Sequence, residues 1–137
     1  MRSTRSRRIS VLLVTALLLP GAAAEHAAAA TFTRILAGPD QGHPAWSPDG
    51  TKIAYDAGAS GFSAIAVVSS QGGTPLMLTT RTDENLWPCW SPDGQRIAFA
   101  RRSGEAGIWT MNATGGDLRR VQEYGEDPSW SPDGTTI

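Results

Sequence analysis

The sequence has little of the chemistry on which catalytic and metal sites depend. Cys89 is the single cysteine among 137 residues, which excludes a disulfide within the chain and a cysteine-based metal site. We interpret it as a small packed residue. The two histidines, His26 and His43, do not stand at the spacing of metal ligands. We therefore assign no catalytic residue and expect no cofactor, no metal and no enzymatic activity of this chain.

Long apolar runs are also scarce. The one marked run, residues 9–19, is about half as long as the roughly 20 residues that a membrane-spanning helix needs, which argues against the alternative of a membrane anchor. Arginines precede the run and small residues follow it, as in a secretory signal peptide. The sequence predicts a signal peptide over residues 1–30, cleaved after Ala24 or Ala30, and therefore an exported protein, periplasmic or secreted.

Basic charge is not in excess. The whole chain has a formal net charge of −1, and removal of residues 1–30 takes away four arginines and one glutamate, leaving 8 basic and 12 acidic residues and a net charge of −4. Proteins that bind nucleic acid carry a basic surface for the phosphate backbone. We therefore expect no nucleic-acid partner, and no membrane span once the leader is cleaved.

What the sequence does have is a repeat. The pentapeptide Trp-Ser-Pro-Asp-Gly occurs three times, at intervals of 44 and 40 residues. A period of this length is typical of repeat architectures. The motif residues are Trp46, Pro48, Asp49 and Gly50; Trp90, Pro92, Asp93 and Gly94; and Trp130, Pro132, Asp133 and Gly134.

Each full repeat contains four short segments rich in β-branched and aromatic residues. In the first repeat they lie around residues 44–47, 52–57, 64–69 and 75–79, and the second repeat has the same four. Gly, Pro, Asp and Ser separate them, as they separate strands. No stretch after residue 30 has the apolar spacing of a capped helix. The sequence therefore predicts an all-β protein with four strands to a repeat.

The pentapeptide predicts a hairpin between the first and second strands. Ser47 can bond to the backbone two residues on, Pro48 fixes its own φ, and Gly50 tolerates a positive φ. A type I turn followed by a left-handed glycine is a common hairpin connection. Trp46 ends the first strand, and we expect its large ring to lie in the packing between neighbouring sheets.

The extended motif resembles the repeat of TolB-like β-propellers. It reads Pro-x-Trp-Ser-Pro-Asp-Gly-x-x-Ile-Ala-(Phe/Tyr), followed by Ile-Trp-x-Met-Asn-Ala-x-Gly-Gly. The resemblance implies antiparallel four-stranded blades around a central channel. It divides the chain after the leader into the last strand of a blade (31–43), two repeats (44–87 and 88–127) and a third repeat that stops at Ile137 (128–137).

The resemblance also implies a function. TolB-like propellers are exported, and we expect a non-enzymatic module that binds a protein or peptide in the cell envelope. Similar repeats form the propellers of prolyl-oligopeptidase-type serine peptidases, so the alternative is the propeller portion of such a peptidase. Two repeats cannot close a ring of about four to eight blades. We therefore expect a fragment of a longer protein, or several copies associated through open strand edges.

Candidate partner-binding residues lie in the loops that precede each first strand. These loops differ between repeats while the frame stays constant, which is typical of a binding surface on a rigid scaffold. Trp87 is the candidate anchor, although it could instead pack against a neighbouring loop. The candidates are His43, Asn85, Trp87, Glu126 and Asp127.

Overall fold

All of the described elements are β-strands. The computed structural model describes residues 13–15, 31–36, 40–59 and 61–137. Strands β1 (Leu13–Thr15) and β2 (Thr31–Thr33) pair antiparallel as a two-stranded sheet. Apart from β1, the predicted signal peptide at residues 1–30 lies outside the described residues, so that assignment stays a prediction.

The repeats form two four-stranded antiparallel sheets, which we call the first and the second blade. The first blade contains β3 (Gln41–Trp46), β4 (Lys52–Ala59), β5 (Phe62–Ser69) and β6 (Leu76–Met77). The second contains β7 (Asn85–Trp90), β8 (Arg96–Arg101), β9 (Gly107–Asn112) and β10 (Arg119–Gln122). Strands are hydrogen-bonded in chain order within each blade, which confirms the all-β, four-strand prediction.

Strand boundaries differ from the predicted ones in two respects. The fourth strand of the first blade, predicted over 75–79, spans only Leu76–Met77. The first strands begin earlier than predicted, at Gln41 and Asn85, so the predicted loops belong partly to β3 and β7. In both strands the pairing register shifts before the tryptophan of the repeat, and the resulting β-bulge accommodates one extra residue in β3 and one in β7.

The Ser-Pro-Asp-Gly turns form at the predicted places, but the Ser47 hydroxyl bonds to the Asp49 side chain and to the Lys52 backbone in place of the predicted backbone two residues on. The Ser47 hydroxyl donates to Asp49 Oδ1 at 2.5 Å and accepts from the Lys52 backbone N–H at 2.9 Å. Gly50, at φ 70°, closes the turn by donating its N–H to the Ser47 carbonyl at 2.9 Å. Donors from Ser47 and Thr51 lower the pKa of Asp49 to about 2. These hydrogen bonds favour the ionised form of the Asp49 carboxylate in the turn.

The same turn recurs twice. Ser91 accepts from the Arg96 N–H at 2.9 Å, and Ser131 accepts from the Thr136 N–H at 3.0 Å. The third turn thus has the geometry of the other two. The side-chain bond from the serine hydroxyl also lowers the pKa of Asp93 and of Asp133.

The largest core lies between the two blades. Ala54, Ile65 and Val67 of the first blade pack against Trp90, Ile97, Phe99, Trp109 and Met111 of the second. Burial of each large apolar side chain contributes on the order of 1.5–3 kcal/mol. The two repeats are therefore held as neighbouring blades by a shared apolar layer.

The equivalent tryptophans differ in exposure. Trp90 is 8% exposed, and its Nε1 donates to the Ala45 carbonyl of the first blade at 3.1 Å. This confirms the predicted position between sheets for the second repeat. The prediction is wrong for Trp46, which is 40% exposed. Among the described residues, its side of the first blade packs against the short segment Ile35–Leu36 and not against a whole sheet.

The segment before the first blade lies against that blade much as the end of the first blade lies against the second. Ile35 packs on the outer side of the first blade as Leu78 packs on the second. A Cβ added to Gly72 would lie 3.9 Å from the Ile35 carbonyl, and one added to Gly115 would lie 3.0 Å from the Leu78 carbonyl. Within this segment, β2 spans Thr31–Thr33 and pairs with β1, and the assignment of residues 31–43 to the last strand of another blade stays a prediction.

Candidate binding rim

One end of the two blades gathers the predicted partner-binding residues. Opposite the Ser-Pro-Asp-Gly turns, the first strand of each blade begins, the second ends and the third begins. We call this end the rim; it comprises residues 40–43, 56–59, 61–62, 83–87, 101–107 and 122–127. Because β3 and β7 contact each other, the rim residues of the two blades are neighbours.

Three equivalent rim residues have a left-handed backbone. His43, Trp87 and Asp127 have φ values of 42°, 53° and 52°, and each directly precedes a proline. Few residues with a side chain adopt this region, and a following proline pushes the backbone towards extended conformations instead. Backbone strain of this kind clusters at functional sites. The strain recurs in each repeat, whereas the side chain it presents does not.

In the first blade, the strained residue caps a buried carboxylate. His43 Nδ1 lies 2.7 Å from Asp56 Oδ1, and the side chains are 47% and 8% exposed. The Trp87 backbone N–H donates to the same oxygen at 3.4 Å. A Cβ on Gly42 would lie 2.6 Å from Asp56 Oδ2, so any larger residue there would displace this carboxylate from its present position. The pair orients the imidazole and leaves its other side towards solvent.

The His43–Asp56 pair of the first blade contacts the second blade through Trp87. The His43 and Trp87 rings lie 5.3 Å apart, and the Arg102 guanidinium lies 4.4 Å from the centre of a Trp87 ring. Arg102 Nε and Nη2 donate to the two oxygens of Glu126, both at 2.8 Å. These bonds lower the pKa of Glu126 and raise that of Arg102. A continuous line of contacts therefore runs from His43 to Glu126.

Asn85 has a different environment from the other candidates. It is fully buried; its Nδ2 donates to the Ser63 carbonyl at 3.0 Å, and its Oδ1 accepts from Arg101 Nε at 3.1 Å. The Ser63 hydroxyl in turn donates to the Asn85 carbonyl at 2.8 Å. Asn85 is thus a buried rim residue that joins the two blades and presents no side-chain surface to a partner.

Two rim residues were not singled out by sequence reasoning, Asp56 and Arg102. In the aligned repeats Asp56 stands where the second repeat has Ala100, and Arg102 where the first has Gly58. That difference between otherwise matching strands is the signal that could have identified them. Their contacts with His43 and Glu126 depend on tertiary packing and have no local sequence signature.

The described residues hold no group of three or more His, Cys, Asp or Glu side chains placed to bind a metal ion. Cys89 is partly buried, and desolvation raises the pKa of its thiol to about 11, so the thiol stays protonated at neutral pH. That environment agrees with a packing role for this cysteine. The rim offers aromatic rings, carboxylates and the guanidiniums of Arg101 and Arg102, which are groups suited to recognition.

Comparison with known proteins identifies the repeat. The family model described as "TolB beta propeller domain" matches residues 31–137. A crystal structure of TolB from Acinetobacter baumannii is 26% identical, with a TM-score of 0.65, and the match covers 76% of this chain and 27% of that one. A structure of putative TolB from Agrobacterium tumefaciens is 27% identical, with a TM-score of 0.63, and the match covers 77% of this chain and 39% of that one.

The matched part is thus well under half the length of these two solved relatives. In the part of the chain that the structure describes, no helix has the length and apolarity to cross a membrane.

Proposed function

Since the chain belongs to the TolB β-propeller family, we propose that it is an exported, non-enzymatic module that binds a protein or peptide in the cell envelope. The proposed contact surface is the rim, with His43, Trp87, Glu126 and Asp127 as the residues that meet the partner. Asn85 is not part of that surface, because it is fully buried and bonded within the protein.

The observation that carries the proposal is the line of contacts from His43 to Glu126. It spans both blades, and two of its members have strained backbone that the fold repeats with different side chains. A framework residue would be expected to recur from repeat to repeat, as Trp90, Ile97 and their counterparts do. Positions that vary on a constant backbone are typical of recognition surfaces.

Export is supported by the N-terminal composition, with arginines before a short apolar run and small residues after it. Sequencing of the mature N-terminus tests this directly. We expect Glu25 or Thr31 as the first residue, according to whether cleavage follows Ala24 or Ala30. Cleavage would also separate β1 from β2. Recovery of the chain with its leader intact from the cytoplasm would contradict export.

The alternative, a propeller portion of a serine peptidase, has less support, since both solved relatives above carry the TolB name. We therefore develop the binding role alone.

Photocrosslinking in the producing cell tests the binding role. A photoreactive amino acid replaces Glu105, an exposed rim residue beside the line of contacts, or, as the matched control, Gln95, an exposed residue at the turn end of the same blade. We expect a discrete crosslinked product of one identifiable protein from position 105, weakened by Glu126→Gln, and none from position 95. Equal products from both ends, or none from either, would refute the rim as the binding surface.

A further inference from the structure

We propose that the rim is occupied by the protein's own Arg102, which holds the place on Trp87 and Glu126 that an arginine or lysine of the partner takes on binding. The inference rests on the proposed binding function and names the chemistry of the partner, a cationic segment of a protein or peptide. Arg102 then acts as a competitor that partner binding displaces.

The contacts of Arg102 are those of a bound guanidinium ligand. It stacks on the Trp87 ring at 4.4 Å and makes two parallel bonds to Glu126 at 2.8 Å. A ring face and a carboxylate fork together form a characteristic site for a guanidinium group. The Arg102 and Glu126 side chains are 41% and 56% exposed. The site is therefore open to solvent, and its present occupant can exchange.

The fold does not need an arginine at this position. The Arg102 backbone N–H donates to the Glu84 carbonyl at 2.9 Å. The equivalent Gly58 N–H of the first blade donates to the Asp40 backbone carbonyl at 2.8 Å. The strand end is thus closed by the backbone in both blades, with no side chain at Gly58. Exposed ion pairs also contribute little to folding stability. The fold of the second blade therefore does not depend on the Arg102 side chain.

The charge around the site favours a cation. Asp56 lies beneath Trp87, and Asp127 follows Glu126 in the chain. Glu84 acts on Arg102 together with Glu126, and the two raise the pKa of Arg102. Displacement of Arg102 would leave Glu126 without the partner that lowers its pKa. A cationic partner replaces that charge, whereas an anionic one would meet the carboxylates unscreened.

The test is a titration of the 137-residue chain with the peptide acetyl-Gly-Arg-Gly-Arg-Gly-amide, followed by NMR shifts of rim backbone amides. Two control peptides carry citrulline, which is uncharged, or glutamate in place of arginine. The variants are Arg102→Ala, Trp87→Leu and Glu126→Gln. The matched control is Arg119→Ala, since Arg119 is an exposed arginine that pairs with Asp117 at 2.7 Å away from the rim.

We expect the wild type to bind the arginine peptide weakly and the citrulline peptide not at all. Arg102→Ala removes the competitor and tightens arginine-peptide binding by roughly three- to tenfold. Glu126→Gln and Trp87→Leu abolish it, and Arg119→Ala leaves it unchanged. Glu126→Gln keeps the test valid if Trp87→Leu does not fold, because Glu126 is an exposed residue.

The direction in which Arg102→Ala changes the affinity for the arginine peptide tests the inference. If this variant binds the arginine peptide no better than the wild type, or if neither binds it, Arg102 is not a displaceable occupant and the inference is wrong. Binding of the glutamate peptide by the wild type, lost in Arg102→Ala, would also overturn it while leaving the rim as the binding surface. Failure of the crosslinking test would instead remove the proposed function itself.

Discussion

The two blades are alike at the turn end and different at the rim. At the turn end, Ser47 and Ser91 each accept a backbone N–H at 2.9 Å and donate to an aspartate at 2.5 Å. At the rim, the first blade has a buried Asp56 where the second has Ala100. The side chains at the turn end are alike in both blades because the turn depends on them. The side chains at the rim can differ, because backbone hydrogen bonds already hold the strand ends there.

The first prediction compares the cores on the two sides of the first blade. Phe99→Ala removes a ring that is fully buried between the blades, and we expect a loss of about 3–5 kcal/mol in the free energy of unfolding. Tyr55→Ala, on the side covered by Ile35 and Leu36, should cost less, because a short segment can adjust to a cavity more easily than a sheet. Urea denaturation followed by circular dichroism measures both. A larger loss for Tyr55→Ala would mean that the outer core is the main one.

The second prediction tests the likeness of the turn ends. Ser47→Ala and Ser91→Ala each leave a backbone N–H and an aspartate without the serine hydroxyl. We expect each to lower the free energy of unfolding by about 1–2 kcal/mol, since both serines are buried. Equal losses in denaturant titrations would support equivalence, and a loss from only one of the two would break it.

The third prediction concerns the equivalent tryptophans of the two repeats, Trp46 and Trp90. Trp90→Phe removes the bond from Nε1 to the Ala45 carbonyl, and we expect a loss of about 1 kcal/mol in unfolding free energy. Trp46→Phe should change it by less than about 0.5 kcal/mol, because Trp46 is 40% exposed. Thermal unfolding of the two variants under identical conditions checks the order. Equal losses would contradict different surroundings for the two rings.

The fourth prediction sharpens the difference at the rim. Asp56→Ala gives the first blade an alanine at the position that is equivalent to Ala100 of the second blade. We expect the free energy of unfolding to change by no more than about 1 kcal/mol, because the partner His43 is half exposed and can be solvated. A denaturant titration that showed a much larger loss would make Asp56 a framework residue.

The smallest expected effect is a pH dependence at the turn end. The folded-state pKa of Asp49 is about 2, below the value of about 3.9 in an unfolded chain. Its contribution to stability is therefore present above about pH 4 and is lost as the pH falls towards 2. Asp49→Asn should flatten this acid dependence of the denaturation midpoint. An unchanged acid profile would indicate that other carboxylates dominate.

The fold was largely predictable because its signals are local. Ser47, Pro48 and Gly50 specify a turn through their own backbone preferences, and the alternation of small and large residues around Ala54 suits stacked sheets. The exposure of Trp46 was not predictable in this way. It depends on what covers the outer side of the first blade, which no residue near Trp46 encodes.

The candidate site was predictable only in part. The variable positions before each proline identified His43, Trp87 and Asp127. The left-handed backbone of His43 and Trp87 lies at a β-bulge that forms only when the strands pair, whereas Asp127 has the same backbone with no described strand around it. Asn85 was grouped with them by its place in the sequence, although its bonds to Ser63 and Arg101 bury it. Asn85 differs from the other candidates in its burial, and that burial depends on contacts between chain segments far apart in sequence.

Hydrogen exchange of the indole N–H groups, assigned by NMR, tests most directly whether the repeats are stacked blades of one framework. We predict slow exchange for Trp90, whose Nε1 is bonded to Ala45 between the blades, and fast exchange for Trp46 on the outer side. Exchange at Trp46 as slow as at Trp90, or fast exchange at both, would contradict the account.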